Sequence, residues 1–230
     1  MKKEGRKNVV KTEQQYKGEW VYRLLLPLIY LLFFPLFTPK INNREYIPQK
    51  GRVIIAANHK HAFDPIIIMV STLRPIHFLA KKEHFMGYFG WLFKKMSCIC
   101  VDREKHNGYA MKEAISFLND EKVIGIFPEG TRNRTNDLVF QDFKYGTVAM
   151  ARHTGAPIVP AVITGDYRLF SKNLMISFGK PVTVPSEMSL EEANHDLQER
   201  MKDMWYANLD MTGRTEEQEL KSRKTKHVIE

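Results

Sequence analysis

An α/β fold, a mixed sheet with flanking helices preceded by a membrane-associated helical segment, is predicted by three observations on this chain of 230 residues. Short apolar runs of strand length alternate with longer runs of helical period along most of the sequence. The polar motifs sit at the ends of the apolar runs, where ligands collect in open sheets. A charge-free stretch, residues 24–37, stands before all of them, behind a basic segment at residues 2–17.

The charge-free stretch is fourteen residues long and interrupted by Pro27 and Pro35. A bilayer span needs about 20 apolar residues, so the stretch favours a shallow or amphipathic anchor, with Trp20 and Tyr22 at headgroup level. Extension back through Tyr22, Val21 and Trp20 leaves a single marginal span open, with Arg23 snorkelling. No small-residue cleavage site follows, which argues against a secretory signal. The anchor is expected on the cytoplasmic face of the cell membrane, where anionic lipid attracts Lys and Arg.

Residues 53–57 read as a buried strand and residues 65–73 as the helix after it. Residues 76–80 and 98–101 read as strands, with a Gly-containing helical or loop segment at 86–95 between them. Residues 109–118 form a helix with Met111, Ala114, Ile115 and Leu118 on one face. A strand at 123–127, a short helix at 146–153 closed by Gly155, and strands at 158–163 and 174–178 follow. Residues 189–206 are a helix opened by Ser189 and Glu192 as a capping box and striped by Leu190, Ala193, Leu197, Met201 and Met204. From Thr212 onward the chain is polar and charged, which predicts a mobile tail.

With 43% hydrophobic residues the chain builds one sizeable core. Cys98 and Cys100 lie on one face of a predicted strand, too close to bridge, and read as reduced cysteines in a cytosolic protein. A formal net charge of +9 suits an anionic membrane surface or anionic substrates. No aromatic-and-basic recognition pattern accompanies it, so nucleic acid ranks last among the partners.

Two turns carry chemistry. In NHKHAFD, between a strand and a helix, Asp64 follows His59 by five residues. It folds back to accept a hydrogen bond from one ring nitrogen, which leaves the other as a base. No G-x-S-x-G elbow supplies a protein nucleophile, so the proton comes from a substrate hydroxyl. His59 and His61 form an H-x-H, but no further ligand at metal-site spacing accompanies them. In FPEGTR, after the strand at 123–127, Gly130 allows close backbone approach, and the Arg132 guanidinium suits phosphate or carboxylate. Arg134 and Lys144 lie near it in sequence.

With these turns, Asp102 and Arg103 of CICVDR, and Ile158, Val159 and Pro160 of PIVPAV, the chain resembles the glycerolipid acyltransferase family that contains the 1-acyl-glycerol-3-phosphate acyltransferases. H-x4-D falls on His59 and Asp64, and FPEGTR is matched residue for residue. Four blocks in order over residues 58–162 are far more specific than a lone H-x4-D. The resemblance covers about residues 41–184 and implies a glycerol-phosphate acyltransferase-like fold. The implied division is an N-terminal segment at 1–40, an acyltransferase catalytic domain at 41–210 and a charged tail at 211–230.

The resemblance implies that His59 is the general base and Asp64 orients it, while the acceptor hydroxyl attacks an acyl thioester directly. Oxyanion donors are expected among the backbone amides around Glu129 and Gly130. Substrate-binding residues carry over to Lys81 of LAKKEHF, Arg103, Glu129, Gly130, Thr131 and Arg132. For Glu129 two roles stay open: orienting Arg132 or shaping the turn. No cofactor and no metal are implied. The donor is acyl-CoA or acyl carrier protein, and the acceptor is lysophosphatidic acid (1-acyl-glycerol-3-phosphate), giving phosphatidic acid in phospholipid biosynthesis. Ser97 and Cys100 stand where the family often has glycine and proline, and His61 where it often has serine. Rival readings are another acceptor, such as glycerol-3-phosphate or a different lysolipid, and a thioesterase-like hydrolase in which His59 activates water.

Overall fold

The computed structural model describes residues 19–88, 90–102, 108–135 and 137–223. Strands β1 (Lys40–Asn42), β2 (Val53–Ala57), β3 (Ile76–Lys81), β4 (Ile99–Val101), β5 (Val123–Ile126), β6 (Ile158–Thr164) and β7 (Met175–Phe178) form one seven-stranded sheet in the order β1-β7-β6-β2-β5-β3-β4. β6, β2, β5, β3 and β4 run parallel, while β7 is antiparallel to β6 and parallel to β1. The mixed sheet predicted from the sequence is therefore present. Its five co-directional strands bring their carboxyl ends to one edge, the edge at which ligands collect in open parallel sheets.

Both sheet faces are covered, which is why β2 and β6 are buried along their whole lengths. Alternation along β2 divides the cores. Val53, Ile55 and Ala57 pack with Tyr22, Leu26, Phe33 and Phe37 of α1 (Glu19–Phe37) and with Ile67 and Ile68 of α2 (Asp64–Val70). Ile54 and Ala56 pack on the other side, against Ala114 and Leu118 of α5 (Tyr109–Asn119), Val148 and Ala151 of α6 (Gly146–Thr154), and Leu197, Met201 and Trp205 of α7 (Leu190–Thr212). The segment expected as helix or loop resolves into two short helices, α3 (Lys82–Met86) and α4 (Gly90–Lys95).

Three elements differ from the sequence reading. α1 stays helical through Pro27 and Pro35, and both rings lie on its exposed side, away from the core, where the carbonyls left without an N–H partner are open to solvent. That side also carries Leu24, Leu28, Leu31 and Leu32, all exposed, so α1 is apolar on both faces. By length and composition, Trp20–Phe37 is long and apolar enough to cross a membrane. β1 was not predicted, since three residues at a sheet edge carry too little periodicity to read.

The expected mobile tail is the third. α7 continues to Thr212, and Glu216–Ser222 forms α8, opened by a Thr215–Gln218 capping box, with Glu219 and Leu220 buried. Its charges looked like a solvated tail because their partners are distant in sequence. The basic segment at 2–17 lies outside the described residues.

Candidate active site

The turn after β2 closes on Asp64. His59 Nδ1–H donates to Asp64 Oδ2 at 2.8 Å, and the N–H groups of Lys60 and His61 donate to the same oxygen at 2.7 Å each. Tyr167 donates its hydroxyl to Oδ1 at 2.7 Å. Asp64 is fully buried at the first position of α2, followed by Pro65, whose missing N–H and fixed φ suit a helix start. Four donors hold the buried carboxylate in one orientation. With the Nδ1 proton committed to Asp64, Nε2 of His59 carries the lone pair. The imidazole stacks on Phe127 with ring centres 4.0 Å apart and remains 19% exposed.

Burial, followed by the charge of Asp64, pushes the Tyr167 hydroxyl well above its usual acid range, which keeps it protonated as a donor. His61 is engaged within the turn: its Nδ1 accepts the Phe63 N–H at 3.2 Å, and its ring stacks on Tyr167. Among the described residues no group of three or more His, Cys, Asp or Glu is placed to hold a metal ion.

The FPEGTR turn follows β5, the strand beside β2. Phe127 to Gly130 form a β-turn in which the Gly130 N–H donates to the Phe127 carbonyl at 2.9 Å, with Pro128 and Gly130 at their preferred positions. Gly130 has a φ of 70°, which its missing Cβ permits. Its N–H is thus engaged inside the turn, so of the amides around Glu129 and Gly130 expected as oxyanion donors this one already has a partner.

Glu129 accepts the His59 N–H at 2.9 Å through one oxygen and the Gln141 N–H at 2.8 Å through the other. Of the two roles left open, it shapes the turn. Burial raises its carboxyl above the ordinary range, against the lowering pull of those two N–H bonds. The Asn133 N–H donates to the His59 carbonyl at 2.7 Å, so the second turn grips the His59 main chain on both sides.

The other expected site residues lie around this centre. Thr131 and Arg132 are half-buried in the same turn, and Arg132 forms no ion pair among the described residues. Lys81 is exposed at the carboxyl end of β3, on the same sheet edge, in register with Val101. Asp102 pairs with Lys82 at 3.0 Å. Arg103 lies outside the described residues. Ser97, which stands where glycine is frequent in the resembled family, has a φ of 52°, a conformation that favours glycine.

Sequence reasoning missed Tyr167 and Asn58. Asn58 is buried and holds both main-chain groups of Ile163, accepting its N–H at 2.7 Å and donating to its carbonyl at 3.0 Å. Tyr167 follows β6, whose carboxyl end shares the edge with His59, and that position was the available signal.

The acyltransferase family profile matches residues 38–164. A 1-acyl-sn-glycerol-3-phosphate acyltransferase of Bacillus subtilis is 33% identical over 177 residues, covering 72% of this chain and 87% of the relative. The enzyme of the same name from Borreliella burgdorferi is 35% identical over 147 residues, covering 63% of this chain but only 58% of the longer relative. The crystal structure of the 1-acyl-sn-glycerophosphate acyltransferase of Thermotoga maritima superposes with a TM-score of 0.67 at 24% identity, covering 86% of this chain and 83% of that one, and shares its fold. On the profile match and the Bacillus subtilis relative, the chain belongs to the acyltransferase family.

Proposed function

We propose that this chain is an O-acyltransferase that moves an acyl group from a thioester to the sn-2 hydroxyl of 1-acyl-glycerol-3-phosphate, giving phosphatidic acid. The observation that carries the reading is the His59 Nδ1–Asp64 contact at 2.8 Å, which leaves Nε2 as the base. The Bacillus subtilis and Borreliella burgdorferi relatives, both named for this activity, support the acceptor.

In this reading His59 Nε2 takes the acceptor hydroxyl proton as that oxygen bonds to the thioester carbonyl carbon. The buried Asp64 carboxylate stabilises the imidazolium. Collapse of the tetrahedral intermediate breaks the carbon–sulfur bond, and the leaving thiolate recovers the proton from His59. Arg132, Thr131, Lys81 and Arg103 are read as ligands of the acceptor phosphate, where forked guanidinium donors match its oxygens. The reaction draws on no cofactor, and acyl-CoA and acyl carrier protein both remain as donors.

A peripheral position on the membrane supports access to a lipid acceptor. One face of α1 belongs to the core of the folded domain while its other face exposes leucines. That arrangement suits a helix lying at a bilayer surface, here the cytoplasmic face, with one side in protein and the other in lipid.

The test is transfer of a labelled acyl group from acyl-CoA and from acyl carrier protein to lysophosphatidic acid in detergent micelles, for wild type and His59→Ala. Label in phosphatidic acid that the substitution abolishes supports the reading. Free fatty acid released at one rate with and without acceptor overturns it in favour of a hydrolase.

A further inference from the structure

Lys60 sits between the two histidines of the first turn, and its side chain is buried, 4% exposed. Its ammonium donates to the Gly165 carbonyl at 2.6 Å and pairs with Glu219 of α8. Glu219 is itself fully buried. Its second oxygen accepts the Gly165 N–H at 2.9 Å and faces Arg214 Nε at 3.1 Å. Arg214 in turn holds Asp166 at 3.1 Å. One residue beyond α8, Arg223 donates to the carbonyls of Leu138 at 2.7 Å and Val139 at 2.8 Å.

These contacts join three segments that build the site. Lys60 also gives its main-chain N–H to Asp64. Gly165 and Asp166 immediately precede Tyr167, whose hydroxyl reaches Asp64. Leu138 and Val139 lead to Gln141, whose N–H is held by Glu129. All of α8 lies beyond residue 164, where the family match ends.

A buried ion pair is a poor source of net stability, because desolvating both charges offsets most of their attraction, and apolar residues of similar volume would serve as well. What these contacts add is direction, since the Lys60 ammonium is held by both Glu219 and the Gly165 carbonyl, and Glu219 is held in turn by the Gly165 N–H and Arg214. We propose that Glu219 is a positioning residue for the His59–Asp64 dyad, acting through Lys60, so that α8 is a clasp setting the geometry of the first turn. The inference rests on reading His59 as the base, and deepens it.

The test uses the full-length chain. Glu219→Gln removes the charge while keeping an acceptor for the Gly165 N–H. Misplacing the dyad by a fraction of an ångström lowers kcat by about tenfold to a hundredfold, with the Michaelis constants of both substrates within about twofold of wild type. Glu219→Gln leaves Lys60 as an unpaired buried charge and risks the fold, so Lys60→Met combined with Glu219→Gln removes both charges. This double variant folds and still shows the kcat loss. Independently of any substrate, the His59 Nδ1 proton, observed by NMR in histidine-labelled protein, shifts upfield or broadens in both variants. Wild-type kcat and an unchanged proton in a folded variant overturn the clasp. If wild type itself transfers nothing to lysophosphatidate, the activity reading fails, and the proton signal alone decides the clasp.

Discussion

The carboxylate of Glu129 holds the main-chain N–H of His59 at 2.9 Å, across 70 residues of sequence. The turn that carries Arg132 of the proposed anion site therefore also fixes the backbone of His59, the proposed base. Glu129→Gln keeps the shape but turns one acceptor into a donor, leaving the His59 or the Gln141 N–H facing an NH2 group. The expected cost is about 1–3 kcal/mol of stability, measured by urea unfolding, with a parallel fall in kcat. The raised Glu129 carboxyl adds a pH signature. Between the unfolded value, near 4.5, and the raised folded one, the folded chain keeps a proton that the unfolded chain has released. Stability therefore falls as pH rises through that interval. Unfolding curves of Glu129→Gln across the same interval lack this slope.

Tyr167→Phe removes one of the four donors to Asp64 without a change of volume in the core. A hydrogen bond to a charged group is worth about 1.5–3 kcal/mol, so kcat is expected to fall roughly tenfold or more. Asp64→Asn removes the charge that stabilises the imidazolium and lowers kcat by about a thousandfold or more. Equal rates for Tyr167→Phe and wild type would show that the other three donors suffice.

Arg132 forms no ion pair among the described residues, so its removal leaves the fold intact. Arg132→Ala is expected to raise the Michaelis constant for lysophosphatidate about tenfold or more, the loss of one charge-assisted contact to phosphate. Thermal unfolding stays at the wild-type temperature. An unchanged Michaelis constant removes Arg132 from the acceptor site.

The outer side of α1 offers a separable test. Leu28→Asp with Leu31→Asp places charges on the exposed side, opposite the packed Tyr22, Leu26 and Phe33. Binding to vesicles containing phosphatidylglycerol is expected to weaken about tenfold or more, since burying one leucine is worth about 1.5–3 kcal/mol. Soluble-phase stability is retained. Undiminished co-sedimentation would place the lipid contact elsewhere.

Ser97 occupies a left-handed conformation, φ 52°, that costs a side-chain-bearing residue about 1–2 kcal/mol. Ser97→Gly relieves it, less the extra unfolded-state freedom of glycine of about 0.5–1 kcal/mol. The net expectation is a slightly higher melting temperature with activity unchanged, read by thermal unfolding and the transfer assay.

The sequence by itself determined whatever depends on neighbours within a few residues. The strand at Val53–Ala57, the helix after it and the His59–Asp64 pair were legible, because period and turn spacing encode local geometry. Tertiary structure decided whatever depends on which distant strands share an edge. Sheet order brings β6 beside β2, so Tyr167 reaches Asp64 across 103 residues. It brings β5 to the other side of β2, so Glu129 meets His59 rather than Arg132. Lys60 and Glu219, 159 residues apart, carry no mark of a pair in the sequence, and only the fold buries both and brings them together. The physical reason is that a polar group is silent in sequence while water can satisfy it. Its role is set only when the packed layers exclude water and a specific distant donor or acceptor must take its place.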